Sequence, residues 1–187
     1  MRIISGKFKN KKLFFPNGNR TRPLKDNVKE NIFNILEHAK NLNFEVINSN
    51  VVDFYAGTGS FGLECISRKA SNVYFVEENS EALETLKKNI KNLGVEKQSQ
   101  IFSCDVFKFM QNLPMRKKFD LIFLDPPYEN KKYIEILKKV KKDDLLNENH
   151  IIILHREKNS DTDVSKNLKI LENRIYGRSE IFFCRSF

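Results

Sequence analysis

Five short apolar runs, regularly interleaved with stretches of helical periodicity, constrain this chain more than any other feature. Val51–Tyr55, Val73–Val76, Ile101–Ser103, Leu121–Leu124 and Ile151–Leu154 read as strands, and the segments near 60–69, 79–92, 105–112 and 130–141 read as the helices between them. Repeated strand–helix units predict a parallel sheet covered on both faces, because each crossover helix has to pack back onto the sheet. Two later apolar segments, Leu168–Tyr176 and Glu180–Phe187, are joined through Gly177-Arg178 with no room for a helix, so they predict an antiparallel hairpin on the sheet edge. The expected fold is α/β, with seven strands, mostly parallel.

The region before the alternation has a different character. Residues 2–15 read as a β-hairpin with arms Arg2–Ser5 and Lys11–Phe15 and a turn near Lys9-Asn10, where Asn10 tolerates a left-handed conformation. Pro16 to Pro23 forms a polar connector. Asp26 is then expected to cap a helix whose apolar positions Val28, Ile32, Ile35, Leu36 and Ala39 follow helical spacing. With 187 residues the chain fits one domain plus a small appendage, divided as an extension over 1–40 and a main domain over 41–187.

Charge marks the same boundary. Residues 1–29 carry nine Lys and Arg against one acid, whereas the remaining chain holds 24 basic and 23 acidic residues and is nearly neutral. Arg2, Lys7, Lys11, Lys12, Arg20, Arg22 and Lys25 are the candidate polyanion contacts, and Phe8, Phe14 and Phe15 interleave with them as stacking surfaces suited to nucleic acid. A merely solvated basic face is the competing explanation. The three cysteines are odd in number and widely spaced, and His38, His150 and His155 show no zinc spacing, so neither a disulfide framework nor a metal site is expected. No run approaches membrane-spanning length and no apolar signal segment opens the chain, which makes the cytoplasm the expected location.

Two motifs carry chemistry. Gly57-Thr58-Gly59-Ser60-Phe61-Gly62 follows the first strand, opens a helix and satisfies G-x-G-x-x-G, a pattern that suits a dinucleotide or S-adenosylmethionine equally. Tyr55 and Ala56 lead into it. Glu77, at the end of the next strand, is placed to accept from ribose hydroxyls in either case, with Glu78 as a neighbouring rival and a solvated strand-end acid as the plain alternative. Asp53 lies four residues before Gly57. Its negative charge would repel a pyrophosphate and attract an ammonium beside a sulfonium, which favours S-adenosylmethionine. After the third strand, Asp105 could accept from an adenine amine while Val106 or Phe107 lines the ring; alternatively Asp105 only caps a helix.

The second motif is Asp125-Pro126-Pro127-Tyr128, directly after the apolar run Phe119–Leu124. Two prolines stop a strand and fix the direction of the neighbouring carbonyls. Asp125 and the Pro126 carbonyl could then accept from an NH2 group while Tyr128 stacks on the ring that carries it. Alone, the tetrapeptide reads equally well as a turn. Four acids (Asp53, Glu77, Asp105 and Asp125) fall at or near strand carboxyl ends, where ligands of open α/β sheets bind. If the first and fourth strands are neighbours, a methyl donor and an amine acceptor meet in line.

With these residues identified, the chain closely resembles the class I S-adenosylmethionine-dependent methyltransferases, and within them the bacterial RsmD-type 16S rRNA guanine-N2 methyltransferases. The resemblance spans nearly the whole chain. It is carried by Met1–Gly6, Lys12-Leu13, Thr21-Arg22-Pro23, Asp26–Leu36, the glycine loop, Phe75-Val76-Glu77, Asp125–Tyr128 and Tyr176-Gly177. It implies a Rossmann-like domain and S-adenosyl-L-methionine as cofactor, with S-adenosyl-L-homocysteine as product and no metal. It further implies N2-methylguanosine at position 966 of small-subunit rRNA. The implied partner is that rRNA, free or in a partly assembled subunit, contacted by a monomer through its basic hairpin. Leu24-Lys25 departs from the threonine-rich pair of the family, and Asn27 and Lys29 stand where arginines are usual. Rival readings are a DNA adenine-N6 methyltransferase, a protein-glutamine methyltransferase, a nicotinamide-dependent oxidoreductase and a nonenzymatic RNA-binding module.

Overall fold

A computed structural model describes residues 1–16, 24–113, 117–127, 132–158 and 164–187. The elements run α1 (Asp26–His38), β1 (Asn50–Phe54), α2 (Ser60–Ser67), β2 (Asn72–Glu77), α3 (Ser80–Leu93), β3 (Ser99–Ser103), α4 (Val106–Gln111), β4 (Phe119–Leu124), α5 (Tyr133–Lys142), β5 (Leu146–Glu157), β6 (Leu168–Tyr176) and β7 (Ser179–Ser186). All seven strands join one sheet in the order β3-β2-β1-β4-β5-β7-β6. β1 to β5 are parallel, and β7 enters antiparallel between β5 and β6. The five alternating units and the edge hairpin therefore form as their hydrophobic pattern predicts.

Strand alternation sorts the core into two layers. Val51, Leu121, Phe123, Ile151 and Ile153 face one cluster, shared with Phe61, Leu63 and Leu86 from α2 and α3. Val52, Phe54, Ile122, Leu124, Ile152 and Leu154 face the other, closed by Phe109 of α4 and Ile136 and Val140 of α5. Burial on both faces explains why these strands read as continuous apolar runs rather than as alternating ones. α3 is well delimited: Asn79 accepts from Ala82 N–H at its start, and Gly94 takes φ +65° at its end.

Three local expectations are corrected. β1 ends at Phe54, one residue earlier than its apolar run suggests, because Tyr55 turns to φ +64°. Asp26 lies inside the first turn of α1, where its charge complements the helix dipole; Lys25 precedes the helix, and no side chain caps it. The N-terminal arms are not a regular hairpin. Their pairing is one isolated antiparallel bridge, Arg2 with Lys12, backed by Ile3 N–H to Lys11 O at 2.9 Å and Asn10 N–H to Ile3 O at 2.9 Å.

What would have been ladder bonds go instead to helix side chains. Ile4 and Ser5 N–H donate to the two oxygens of Glu64 at 2.7 and 2.9 Å, and Phe14 N–H donates to Asn89 Oδ1 at 2.7 Å. Gly6 has a role no other residue can fill. It takes φ +79°, and a Cβ there would sit 2.0 Å from the Ser67 carbonyl oxygen. The segment's own apolar residues, Ile3 and Leu13, are buried in the same cluster as β1 and β4.

Candidate active site at the strand carboxyl ends

β1 and β4 are neighbours, with Asp53 opposite Phe123 and Phe54 opposite Leu124. The strand order reverses between them, the place where open α/β sheets form a ligand crevice. A cleft of about 400 Å3, counted with its open mouth, lies there and is lined by Asp53, Tyr55, Ala56, Gly57, Thr58 and Asp125 together with Phe15, Leu24, Ser60, Phe61 and Phe123. Six candidate cofactor and catalytic residues thus line one cleft, while Glu77 and Asp105 are not in its lining.

The glycine loop is shaped by close approach rather than by flexibility. Gly62 packs against β2 so tightly that a Cβ would lie 2.3 Å from the Phe75 ring. Its N–H donates to Asp53 Oδ2 at 3.0 Å, tying loop and strand together. Gly59 supplies the left-handed residue preceding α2 and does not itself line the cleft. Asp53 is 1% exposed. Burial pushes its carboxyl up to about 8, Asp125 and Glu77 push in the same direction, and only the Gly62 N–H opposes them. The three acids are close enough to feel one another, and a cation bound among them would relieve all three.

Glu77 spends both oxygens on backbone N–H groups. Oε2 accepts from Gly57 at 2.7 Å, and Oε1 accepts from Asn79 at 2.8 Å and Glu78 at 3.0 Å. Each oxygen keeps lone-pair capacity toward a hydroxyl. Between the two neighbouring acids, it is Glu77 that turns to the glycine loop. Asp105 caps α4, with Oδ1 accepting from Phe107 and Lys108 N–H at 2.9 and 3.1 Å, and remains exposed. Val106 is buried in the cluster behind β1.

Several residues around the cleft lie outside the candidate cofactor and catalytic sets. Phe61 stacks on Phe123 at 4.0 Å between ring centroids and on Phe33 at 5.1 Å, locking α1, α2 and β4 around the cleft. Phe15 and Leu24, both from the basic segment, also line the cleft. His155, whose spacing suggests only a structural or surface histidine, puts Nδ1 2.8 Å from Asp125 Oδ1. Its only sequence signal is parity: it lies two residues past Ile153 as Asp125 lies two past Phe123, and Phe123 pairs with Ile153.

Arg2, Lys7, Lys11, Lys12 and Lys25 are all exposed. Lys29 is fully buried instead, its Nζ donating to Arg2 O at 2.8 Å and Ser60 Oγ at 3.0 Å beside Glu64. Its departure from arginine therefore concerns packing and not an RNA contact. Pro126 follows β4 without secondary structure, while Tyr128, Arg20 and Arg22 lie outside the described residues.

A mostly parallel seven-stranded sheet ending in an antiparallel hairpin, with a glycine loop after β1 and Asp-Pro-Pro after β4, defines a Rossmann-like methyltransferase fold. The profile of the family described as conserved hypothetical protein 95 matches residues 1–185, and the chain belongs to this family, that of the RsmD-type methyltransferases. Among its relatives is the ribosomal RNA small subunit methyltransferase D of Buchnera aphidicola, 31% identical, with 96% of this chain and 90% of the relative covered. A solved Escherichia coli structure assigned to the methyltransferases shares the fold with a TM-score of 0.83 and 24% identity, over 100% of this chain and 97% of that one. A methyltransferase-type structure complexed with SAH is more distant, at TM-score 0.64 and 15% identity, covering 83% of this chain and 48% of that one.

Proposed function

We propose that this protein is an rRNA methyltransferase that moves the methyl group of S-adenosyl-L-methionine to the exocyclic N2 of a guanine in small-subunit rRNA, the position numbered 966 by resemblance. The observation that carries this reading is the shared cleft. Asp53 on β1 and Asp125 just past β4 open into one space on adjacent strands. The relatives named as small-subunit rRNA methyltransferases supply the RNA class, and the fold neighbour solved with SAH supports the cofactor.

The residues fit that cofactor. A buried carboxylate held well above its ordinary range is completed by a cation, and Asp53 would take the ammonium of the methionine moiety. Glu77 would hold the ribose with the lone pairs its backbone donors leave, and Asp105 the adenine amine with its second oxygen. Tyr55, Ala56, Gly57 and Thr58 would form the wall against the ligand, and Gly59 would set the turn. When bound, S-adenosyl-L-methionine supplies an electrophilic methyl on a sulfonium.

The acceptor side follows from the chemistry of an aromatic amine, whose lone pair is delocalised into its ring. The amine needs aiming more than it needs a strong base. Asp125 and the Pro126 carbonyl would accept from its two N–H groups and hold the nitrogen toward the methyl, with Tyr128 stacked on the base. Once the N–CH3 bond has formed, one N–H proton leaves, and Asp125 is the nearest carboxylate to receive it. Such a base must be unpaired or flipped out to enter. We assign residues 1–40, with the basic side chains from Arg2 to Lys25, to RNA contact and residues 41–187 to catalysis.

The test is transfer from labelled S-adenosyl-L-methionine to unmodified small-subunit rRNA, free and in partly assembled particles, followed by mass-spectrometric mapping. N2-methylguanosine at one site is expected. Methylation of adenine, or of protein alone, overturns the assignment.

A further inference from the structure

The geometry points to His155 as a positioning residue for Asp125, an inference that depends on the acceptor role given to that carboxylate above. Asp125 stands at the end of β4 followed by two prolines, with a quarter of its side chain open, so its backbone is held while its carboxylate retains rotational freedom. A carboxylate that must present one oxygen to an amine needs the other fixed. β5 supplies the means. Leu124 pairs with Leu154, so Asp125 and His155 occupy equivalent places one residue beyond the register on adjacent strands, and their parity matches Phe123 and Ile153. His155 is buried, held from its other side by the antiparallel pairing with Ile181 of β7, and its Nδ1 lies 2.8 Å from Oδ1.

The approach is short without being a well-aligned hydrogen bond, which is common for catalytic pairs before substrate binds and tightens them. With the Nδ1–H tautomer, His155 donates to Oδ1 and leaves Oδ2 toward the cleft. The imidazole forms no bond to substrate. The methyl passes from sulfur to nitrogen, the sulfonium becomes a neutral thioether, and the amine proton goes to Oδ2. The contrast with His150 sharpens the point. That ring is tied to Asn147 O at 2.7 Å and to Ser186 N–H at 2.9 Å, both of them backbone atoms of its own sheet region.

His155→Leu keeps an apolar shape suited to a buried strand position and removes the donor, whereas His155→Asn keeps a donor near Nδ1. Using the full-length protein with unmodified small-subunit rRNA, His155→Leu is expected to lower kcat about a hundredfold, as for a misplaced reacting group, with KM for RNA and calorimetric affinity for S-adenosylmethionine within about threefold. His155→Asn is expected to recover most of the rate. In the Asp125→Ala background, His155→Leu should change little further, since coupled residues are not additive. Wild-type kcat in His155→Leu, equal loss of cofactor affinity and kcat, or full additivity with Asp125→Ala overturns the positioning role. Should His155→Leu lose its far-UV circular dichroism, His155→Gln, whose amide reaches toward the place of Nε2 rather than Nδ1, replaces it in the single-variant and double-mutant comparisons with the same expected outcomes. Absence of transfer by the wild-type protein instead overturns the methyltransferase reading on which the inference depends.

Discussion

Two groups of charged residues occupy neighbouring parts of the molecule and are treated in opposite ways. Beneath the basic segment, Glu64 is fully buried and accepts from Ile4, Ser5 and Arg68, while the equally buried Lys29 donates to Arg2 O and Ser60 Oγ and sits 3.6 Å from Glu64. Arg68 also reaches Glu37 and lies over the Phe33 ring. Each charge has been given partners from the protein itself. At the carboxyl ends of β1 and β4, Asp53 is nearly as buried, yet among the described residues it receives one hydrogen bond, from Gly62, with two acids pressing on it. A satisfied web holds a segment in place. An under-satisfied buried acid is relieved by a proton, as its raised pKa reflects, or by a cation.

The sharpest way to break this comparison is at the acceptor. Asp125→Ala is expected to reduce methyl transfer by about three orders of magnitude while S-adenosylmethionine affinity, measured by calorimetry, stays within a few-fold. Parallel loss of both would move Asp125 into the cofactor site. Next in size is the web itself: Glu64→Ala leaves Lys29 and Arg68 facing a void and orphans two backbone N–H groups, a loss of about 3–5 kcal/mol in urea unfolding. A change under about 1 kcal/mol would show that water replaces the carboxylate without penalty.

Asp53 gives the pH test. Its folded value, about 8, is above the ordinary 3.8, so between those limits the folded chain holds a proton that the unfolded chain has released. Stability of the ligand-free protein from this group therefore falls as pH rises through that window and levels off above it. Asp53→Asn should flatten the difference in melting temperature between about pH 5 and pH 8.5 and weaken S-adenosylmethionine binding; an unchanged pH slope would count against the buried acid. The smallest effect lies on the exposed basic face. Charge reversal at Lys7, Lys11 and Lys12 should weaken RNA binding and lower the salt slope by about 0.7 for each phosphate no longer neutralised. Identical affinities at all salt concentrations would leave that charge as solvation only.

Much of this was legible in the chain. The alternation of strand and helix, the edge hairpin and the glycine loop depend on local periodicity and turn chemistry, which the sequence displays directly. The wall acids were legible because they sit at strand ends whose place the same periodicity marks. His155 was not, since its relation to Asp125 depends on the β4–β5 register, and a register is a property of two strands together. The burial of Lys29 was not legible for a related reason: its partner Glu64 lies 35 residues later in the chain. The hairpin expected over residues 2–15 forms only in part: its arms meet through Ile3 N–H to Lys11 O and Leu13 N–H to Met1 O, while Ile4, Ser5 and Phe14 N–H donate to Glu64 and Asn89.

The sequence by itself determined the alternation of strands and helices, the glycine loop and the chemical kinds of residue at the strand ends, because each is written within a few neighbouring residues. Only the tertiary structure decided which charges are partners and which are left open, that Asp53 and Asp125 share one cleft, and that His155 reaches Asp125. Those are matters of distance between residues remote in the chain, set by strand order, register and packing rather than by any local preference.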